Sequence, residues 1–270
     1  MTHLPQPQSE ANATASADRP LRIGVVRFSA AQFLGALVLF FIAAPLVEKL
    51  PNGSFIDGTL LTLVLATGVL AVGRHRKNLI LAAVVVAPAI VCRWVHHFWP
   101  DLVSTEIFLS TGLMAVAFVF GNLLHFVLRA PRVNSEVLCA GISAYFLLGL
   151  LWAFGYLLVA GLTPGSFAFS TGAPASRALG NFDAFYFSFV TLSTVGYGDI
   201  TPVSNGARML AMMEAMTGTL YVAVFIARLV ALYSSRELRD ATVGVRRQIQ
   251  ADNNPSTMSN QPSTIHEPRL

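Results

Sequence analysis

The feature that most constrains this sequence is a series of long apolar runs, each about as long as a lipid bilayer is thick. A membrane-spanning helix needs about 20 predominantly apolar residues. Six runs meet or approach this length, at residues 29–47, 55–73, 78–92, 105–128, 137–162 and 205–232. Only 12% of the residues are charged and 54% are hydrophobic, which excludes an ordinary soluble domain. The sequence therefore predicts an all-α integral membrane protein with six transmembrane helices.

The third run, residues 78–92, is shorter than the others and is followed by Arg93. We expect this helix to reach the membrane surface only if the Arg93 side chain extends toward the interface. The aromatic residues Trp94, Phe98 and Trp99 would then form an interfacial belt.

Basic residues are concentrated in alternate connections between the apolar runs. They precede the first run, join the second to the third and the fourth to the fifth, and follow the sixth. Because such residues remain on the cytoplasmic side, the pattern predicts a multi-pass protein of the plasma membrane with both termini in the cytoplasm. The net charge of +4 is explained by these anchors, so no nucleic-acid partner is expected.

A short glycine-containing segment, T-L-S-T-V-G-Y-G-D at residues 191–199, lies between the fifth and sixth runs. Gly196 and Gly198 alternate with Val195 and Tyr197, and glycine adopts positive φ at little cost. Such alternation allows successive carbonyl groups of an extended segment to point the same way, with the Thr194 hydroxyl at the inner end. A row of oxygens of this kind can replace the water shell of a cation. The side chains of Val195 and Tyr197 would then turn away from this row and pack behind the segment.

The motif T-V-G-Y-G at residues 194–198 resembles the selectivity filter of the potassium channel family. The surrounding order is similar too: an outer helix, a short apolar helix at residues 183–193, the motif and a long inner helix. The resemblance covers about a third of the chain, from residue 135 to residue 234. It implies a re-entrant pore helix and filter between the fifth and sixth spans. We call residues 194–198 the filter segment.

The resemblance also implies the roles of individual residues. Potassium ions would bind at Thr194, Val195, Gly196 and Tyr197, with Gly198 completing the filter. Asp199, Thr191 and Ser193 would support the filter or shape its mouth, and the aromatic residues of the pore helix would serve packing. No cofactor is expected beyond the permeating potassium ion itself.

One filter segment cannot surround an ion, and T-V-G-Y-G occurs once in the sequence. A ring of four chains is therefore expected, so the predicted protein is a homotetramer in a lipid bilayer. It would conduct potassium passively. The fourth run, residues 105–128, contains no arginine or lysine, which argues against strong voltage gating.

The predicted domain organisation has four parts. Residues 1–27 form a disordered cytoplasmic tail, residues 28–134 a four-helix region without voltage-sensing arginines, residues 135–234 the pore domain, and residues 235–270 a polar cytoplasmic tail. No sensor domain is indicated, so lipid, membrane tension, pH and a partner protein all remain open as gating stimuli.

Glu214 is the one acidic residue deep in the sixth run, and Gly218 lies one helical turn further on. A carboxylate at this depth is costly, so it should face protein or water and serve a function. Two interpretations are open: Glu214 lines a water-filled cavity, or it packs behind the filter and bonds Thr191 or Ser193. The dry flanking residues favour the second, with Gly218 allowing the helix to bend.

A second class of function is a membrane structural or signalling protein whose pore-like hairpin does not conduct. The intact threonine, glycines and tyrosine of the motif favour a channel. An enzyme is not expected, because no cluster of nucleophile, base and orienting residue is evident.

Overall fold

The chain forms a helical bundle, seen in a computed structural model that describes residues 30–47, 50–51, 53–72, 76–131, 134–170 and 177–252. The predicted tail of residues 1–27 lies outside the described residues. The helices are α1 (Ala30–Val47), α2 (Gly53–Val72), α3 (Arg76–Phe98), α4 (Thr105–Arg129), α5 (Ser135–Leu162), α6 (Asn181–Leu192) and α7 (Asn205–Asp252), with short strands β1 (Phe167–Phe169) and β2 (Ile200–Pro202).

Within the described residues, six helices are long and apolar enough to cross a membrane: α1 to α5 and the first 27 residues of α7. Each predicted span is matched by one of these helices. The protein is therefore a multi-pass, mostly α-helical membrane protein, as the apolar runs predicted. α6 is only 12 residues long and lies between two spanning helices, in the place of a re-entrant helix.

The helix α5 forms the centre of the bundle. In its apolar 18-residue stretch 61% of the residues are buried, compared with 11% in the corresponding stretch of α7. α4 packs on α5 through apolar residues that recur every three or four positions, which places them on one helix face. Gly112 lies in this row and lets the Phe154 ring of α5 approach the α4 backbone. Small residues commonly allow such close helix packing in membranes.

The prediction for the end of α3 was wrong. Arg93 does not extend to the interface: it is 9% exposed, and its Nη2 atom lies 3.4 Å from Asp57 Oδ2 on α2. A buried guanidinium is costly unless it is paired and hydrogen-bonded, so the bundle itself supplies the partner. With the charge paired inside the protein, α3 continues to Phe98.

The connections on either side of α6 are joined by a small antiparallel sheet that the sequence did not predict. β1 follows α5 and pairs with β2, which follows the filter segment, with Ala168 opposite Thr201. Further backbone hydrogen bonds extend the pairing, from Ser170 N–H to Asp199 O at 2.9 Å and from Val203 N–H to Ser166 O at 2.8 Å. The sheet thereby fixes the chain as it leaves the filter segment.

α7 extends well beyond the predicted end of the sixth span. Its apolar region ends at Ala231, but the helix continues without interruption to Asp252. The predicted polar tail of residues 235–270 was expected to begin with a helical continuation through Asp240, and the helix in fact includes all of residues 235–252. Residues 253–270 lie outside the described residues.

Gly112 and Gly121 offer a matched test of the packing between α4 and α5. A Cβ atom at Gly112 would lie 2.7 Å from the Phe154 ring, whereas one at Gly121 would meet nothing within 4 Å. We expect Gly112→Leu to lower the free energy of unfolding by about 1–3 kcal/mol, because overpacking forces side chains or backbone to move. Gly121→Leu should change it little. The midpoint of thermal unfolding of the purified variants checks this, and equal midpoints would contradict the packing described.

Candidate functional site

The filter segment is anchored to the last turn of α6 by its backbone N–H groups. Thr194 N–H donates to Thr191 O at 2.9 Å, and Val195 and Gly196 N–H donate to Val190 O at 2.9 and 3.3 Å. The last carbonyls of a helix have no partner within the helix. Here the filter segment supplies those partners, and the anchoring directs its N–H groups toward α6.

The carbonyl groups of the filter segment are in the opposite situation. Among the described residues, no hydrogen bond is donated to the backbone oxygens of residues 194–198. Polar groups at membrane depth must be satisfied by protein, by water or by a ligand. Five consecutive oxygens therefore remain available to a cation or to water.

The sign of the φ angle alternates along the backbone of the filter segment. Thr194, Gly196 and Gly198 have positive φ angles of 60°, 57° and 77°, and Val195 and Tyr197 between them do not. This is the alternation that the two glycines predicted. Thr194 is the informative member, because a β-branched residue at positive φ is strained. Such strain is kept only where the surrounding structure imposes it, and it is concentrated at functional sites.

The side chains of Val195 and Tyr197 are not covered within one chain. Val195 is 53% exposed and Tyr197 is 71% exposed. The sequence predicted that both would pack behind the filter segment. A single chain provides only part of that packing, since the rest of the surface around them is open.

Asp199 follows the filter segment and is held by α6. Its carboxylate accepts a hydrogen bond from the hydroxyl of Tyr186, and this bond raises the pKa of Tyr186. The predicted position behind the filter segment is therefore occupied by a carboxylate with a partner on the pore helix. Tyr186 was expected to serve packing alone.

Glu214 lies on the packed side of α7 and not in an open cavity. Its side chain is fully buried, at 0% exposure. The Tyr156 hydroxyl of α5 bonds Glu214 Oε2, and Ser188 Oγ of α6 lies 2.6 Å from Glu214 Oε1. These partners differ from the expected Thr191 and Ser193. The Thr191 carbonyl instead accepts from Thr194, and the Ser193 hydroxyl donates to Phe189 O at 2.6 Å.

The hydrogen atoms around Glu214 can be counted. Ser188 Oγ lies 2.7 Å from Gly149 O as well as 2.6 Å from Glu214 Oε1. A carbonyl can only accept, and a serine hydroxyl has one hydrogen. If that hydrogen is directed to Gly149, the second contact needs a hydrogen on Glu214. In that arrangement a protonated Glu214 accepts from Tyr156 and donates to Ser188, and α5, α6 and α7 are linked without a buried charge.

Gly218 is a point of close approach between α7 and α6. A Cβ atom there would lie 2.4 Å from Leu192 O and 2.8 Å from the Leu192 side chain. Leu192 is the last residue of α6. The pairs Glu214–Ser188 and Gly218–Leu192 are one helical turn apart on both helices, so together they set the position of α6 against α7.

Sequence reasoning missed Tyr156 and Ser188. Ser188 carried a weak signal, since it is a hydroxyl between Phe187 and Phe189 in an otherwise apolar segment. Tyr156 carried none, because tyrosine in an apolar helix is common at membrane interfaces.

Comparison with known proteins matches the region just described. Residues 156–235 match a family model described as "Ion channel". This part of the chain is similar to ion channels. The resemblance to potassium channels is thereby confirmed over the pore region, and the family is one of channels, which are not enzymes.

Similar proteins in other organisms carry potassium channel names. The chain is 41% identical over 80 residues to "Two pore potassium channel b" of Oryza sativa subsp. japonica, which covers 27% of this chain and 22% of that protein. It is 57% identical over 35 residues to "Voltage-gated potassium channel Kch" of Escherichia coli (strain K12). That match covers 13% of this chain and 8% of the relative. The chain therefore spans less than a quarter of the length of these relatives.

The close approach of α7 to α6 predicts that alanine is tolerated less well at Gly218 than at Gly206. Gly218→Ala should lower the free energy of unfolding by about 1–3 kcal/mol, because the new methyl group would collide with the backbone oxygen of Leu192. Gly206→Ala is the control, since its Cβ atom would meet nothing within 4 Å. Thermal unfolding of both variants checks this. A Gly218→Ala variant as stable as Gly206→Ala would show that the two helices are further apart.

The hydrogen count predicts that Glu214→Gln is tolerated and Glu214→Leu is not. A glutamine can accept from Tyr156 and donate to Ser188, as a protonated glutamate does. Leucine would leave two buried hydroxyl groups without that partner, at a cost of about 1–3 kcal/mol. Thermal unfolding and gel filtration measure both effects. Equal destabilisation by glutamine and leucine would indicate instead that Glu214 is ionised.

Proposed function

We propose that this protein is a potassium-selective channel that conducts passively through a ring of four identical chains. The observation that carries the proposal is the backbone of the filter segment: positive φ at every second residue, N–H groups bonded to α6 and carbonyl oxygens without a donor. Carbonyl oxygens in this arrangement are the ligands by which potassium filters replace the hydration shell. The potassium channel names of the relatives support the same ion.

The ring of four rests on the exposed side chains. Val195 and Tyr197 are uncovered in one chain, and the spanning part of α7 also exposes Met209, Met212, Met216 and Leu220. Some of this surface would face lipid, but the filter side chains adjoin α6 and need protein behind them. The rice relative is named for two pores, whereas T-V-G-Y-G occurs once here, so four chains are needed to complete one filter.

We further propose that the protein lies in the plasma membrane with both termini in the cytoplasm. Arg129 at the end of α4 and the arginines that follow the apolar part of α7 support this orientation. The filter mouth, Asp199 and the β1–β2 sheet would then face outward. The pore helix dipole would direct its negative end toward the ion path.

Ion flux into liposomes that contain the purified full-length protein tests the function. We expect potassium flux that barium blocks, and no comparable sodium flux. Protein that inserts as a tetramer but carries no flux would favour the alternative of a non-conducting membrane protein. Cross-linking in the same liposomes reports the number of chains per ring.

Two glycines with the same backbone angle provide a matched filter variant and control. Gly198 has φ 77° and Gly165, in the turn after α5, has φ 78°, and a Cβ atom would meet open space at both. Alanine is strained to a similar extent at each position. We expect Gly198→Ala, like Gly196→Ala, to abolish or de-select conduction while the tetramer still forms, and Gly165→Ala to leave selectivity unchanged. Unaltered selectivity in both filter variants would contradict the assignment of the filter.

Weak voltage dependence is the remaining expectation. α4 carries no arginine or lysine before Arg129 at its end, so the membrane field has little charge to move in this helix. One elementary charge gains only about 2.3 kcal/mol per 100 mV, and steep gating requires several. Open probability in planar bilayers should therefore change little across about ±100 mV. A steep sigmoidal conductance curve would reveal gating charge elsewhere.

A further inference from the structure

A cavity of about 360 Å³ lies where α1, α2, α3 and α4 meet α5 and α6, away from the filter segment. Its wall is mostly apolar and includes Phe40, Leu150, Phe154 and Phe185. Polar groups gather at one end, where Ser54, Asp57 and Arg93 line it. An apolar cavity of this size with a few convergent polar groups is typical of a small-molecule site.

Arg93 is poorly accessible to a ligand. Its Nη2 atom donates to Ser54 O at 3.0 Å and to Asp57 Oδ2 at 3.4 Å, and its guanidinium lies 5.2 Å from the centre of the Phe108 ring. Its Nε atom is buried, without a hydrogen-bond partner among the described residues, beside Gly58, where a Cβ atom would lie 3.2 Å away. The side chain is only 11% exposed. Protein thus encloses the cation on several sides.

Asp57 is the accessible member of the pair. Its side chain is 29% exposed, and the 3.4 Å contact with Arg93 is long for a charge-assisted hydrogen bond. A carboxylate has about four acceptor positions, and among the described residues the Arg93 contact is the one hydrogen bond to Asp57. A molecule in the cavity would therefore encounter an apolar wall with a hydrogen-bond acceptor of negative charge at one end.

We propose that this cavity binds an amphipathic amine, with its ammonium group on the Asp57 carboxylate and its apolar body along α1, α5 and α6. The ammonium supplies donors and positive charge to the open carboxylate, and the alkyl part covers the phenylalanine rings. An alkyl carboxylate of the same length would be repelled by the Asp57 charge, and the largely buried Arg93 guanidinium would offer it little surface. The occupant would contact Phe185 on α6, the helix that carries the filter segment.

Binding of n-decylamine to the full-length protein in phosphatidylcholine nanodiscs tests the proposal without measuring conduction. Calorimetric titration, corrected with protein-free nanodiscs, should show saturable binding of one amine per chain. We expect Asp57→Asn to weaken it about tenfold, since a bond to a charged group exceeds a neutral one by roughly that factor. Asp101→Asn, an exposed carboxylate in the connection between α3 and α4, should leave the affinity unchanged.

A second variant tests the apolar part of the site with the ion pair left intact. Ala44 lines the cavity from α1, and Ala44→Phe should fill part of it and also weaken decylamine binding about tenfold. Decanoate should bind less tightly than decylamine to the unaltered protein. The proposal is overturned if decanoate binds as tightly as decylamine, if Asp57→Asn retains full affinity, or if Ala44→Phe does. Gel filtration confirms that each variant is folded.

Discussion

The region around the filter segment depends on one constraint. A non-helical backbone at membrane depth must find partners for its polar groups, because the surrounding lipid contains no water to supply them. In the filter segment the two kinds of group are separated. The first N–H groups bond the end of α6, and the carbonyl oxygens receive no protein donor among the described residues. The segment is therefore incomplete until an ion or water occupies the carbonyl side. The positive φ of Thr194 is a conformation that a β-branched residue keeps only where the surrounding structure imposes it.

Three elements hold α6 in the position that this separation needs. α7 contacts it at Ser188 and Leu192, α5 reaches it through Gly149, and Asp199 returns from beyond the filter to bond Tyr186. These are hydrogen bonds and close backbone contacts, which have narrower geometric limits than apolar packing. The position of the filter backbone thus follows from contacts at Tyr186, Ser188 and Leu192 of α6.

Much of this architecture could be predicted, because apolar run length and a five-residue motif each have a direct physical meaning. The six spans and the short α6 follow from length alone, and the alternation at Gly196 and Gly198 follows from the special freedom of glycine. The burial of Glu214 was also favoured by its apolar neighbours. The partners of Glu214 were not predictable, since Tyr156 lies 58 positions away in the chain and only the fold brings the two together. The prediction for Arg93 failed for the same reason. The sequence shows a charge near a helix end, but it does not show that this charge pairs with Asp57, 36 positions earlier, inside the bundle.

The length of α7 has a mechanical consequence. With 48 residues the helix is about 72 Å long, more than twice the thickness of the bilayer core. The α7 backbone comes close to α6 at Gly218, about 20 Å from the start of α7 and about 50 Å from its end. If α7 pivots as a rigid rod about that contact, its far end moves more than twice as far as its near end. A large displacement outside the membrane therefore corresponds to a small one beside the filter, and a force applied at Asp252 is multiplied by the same ratio.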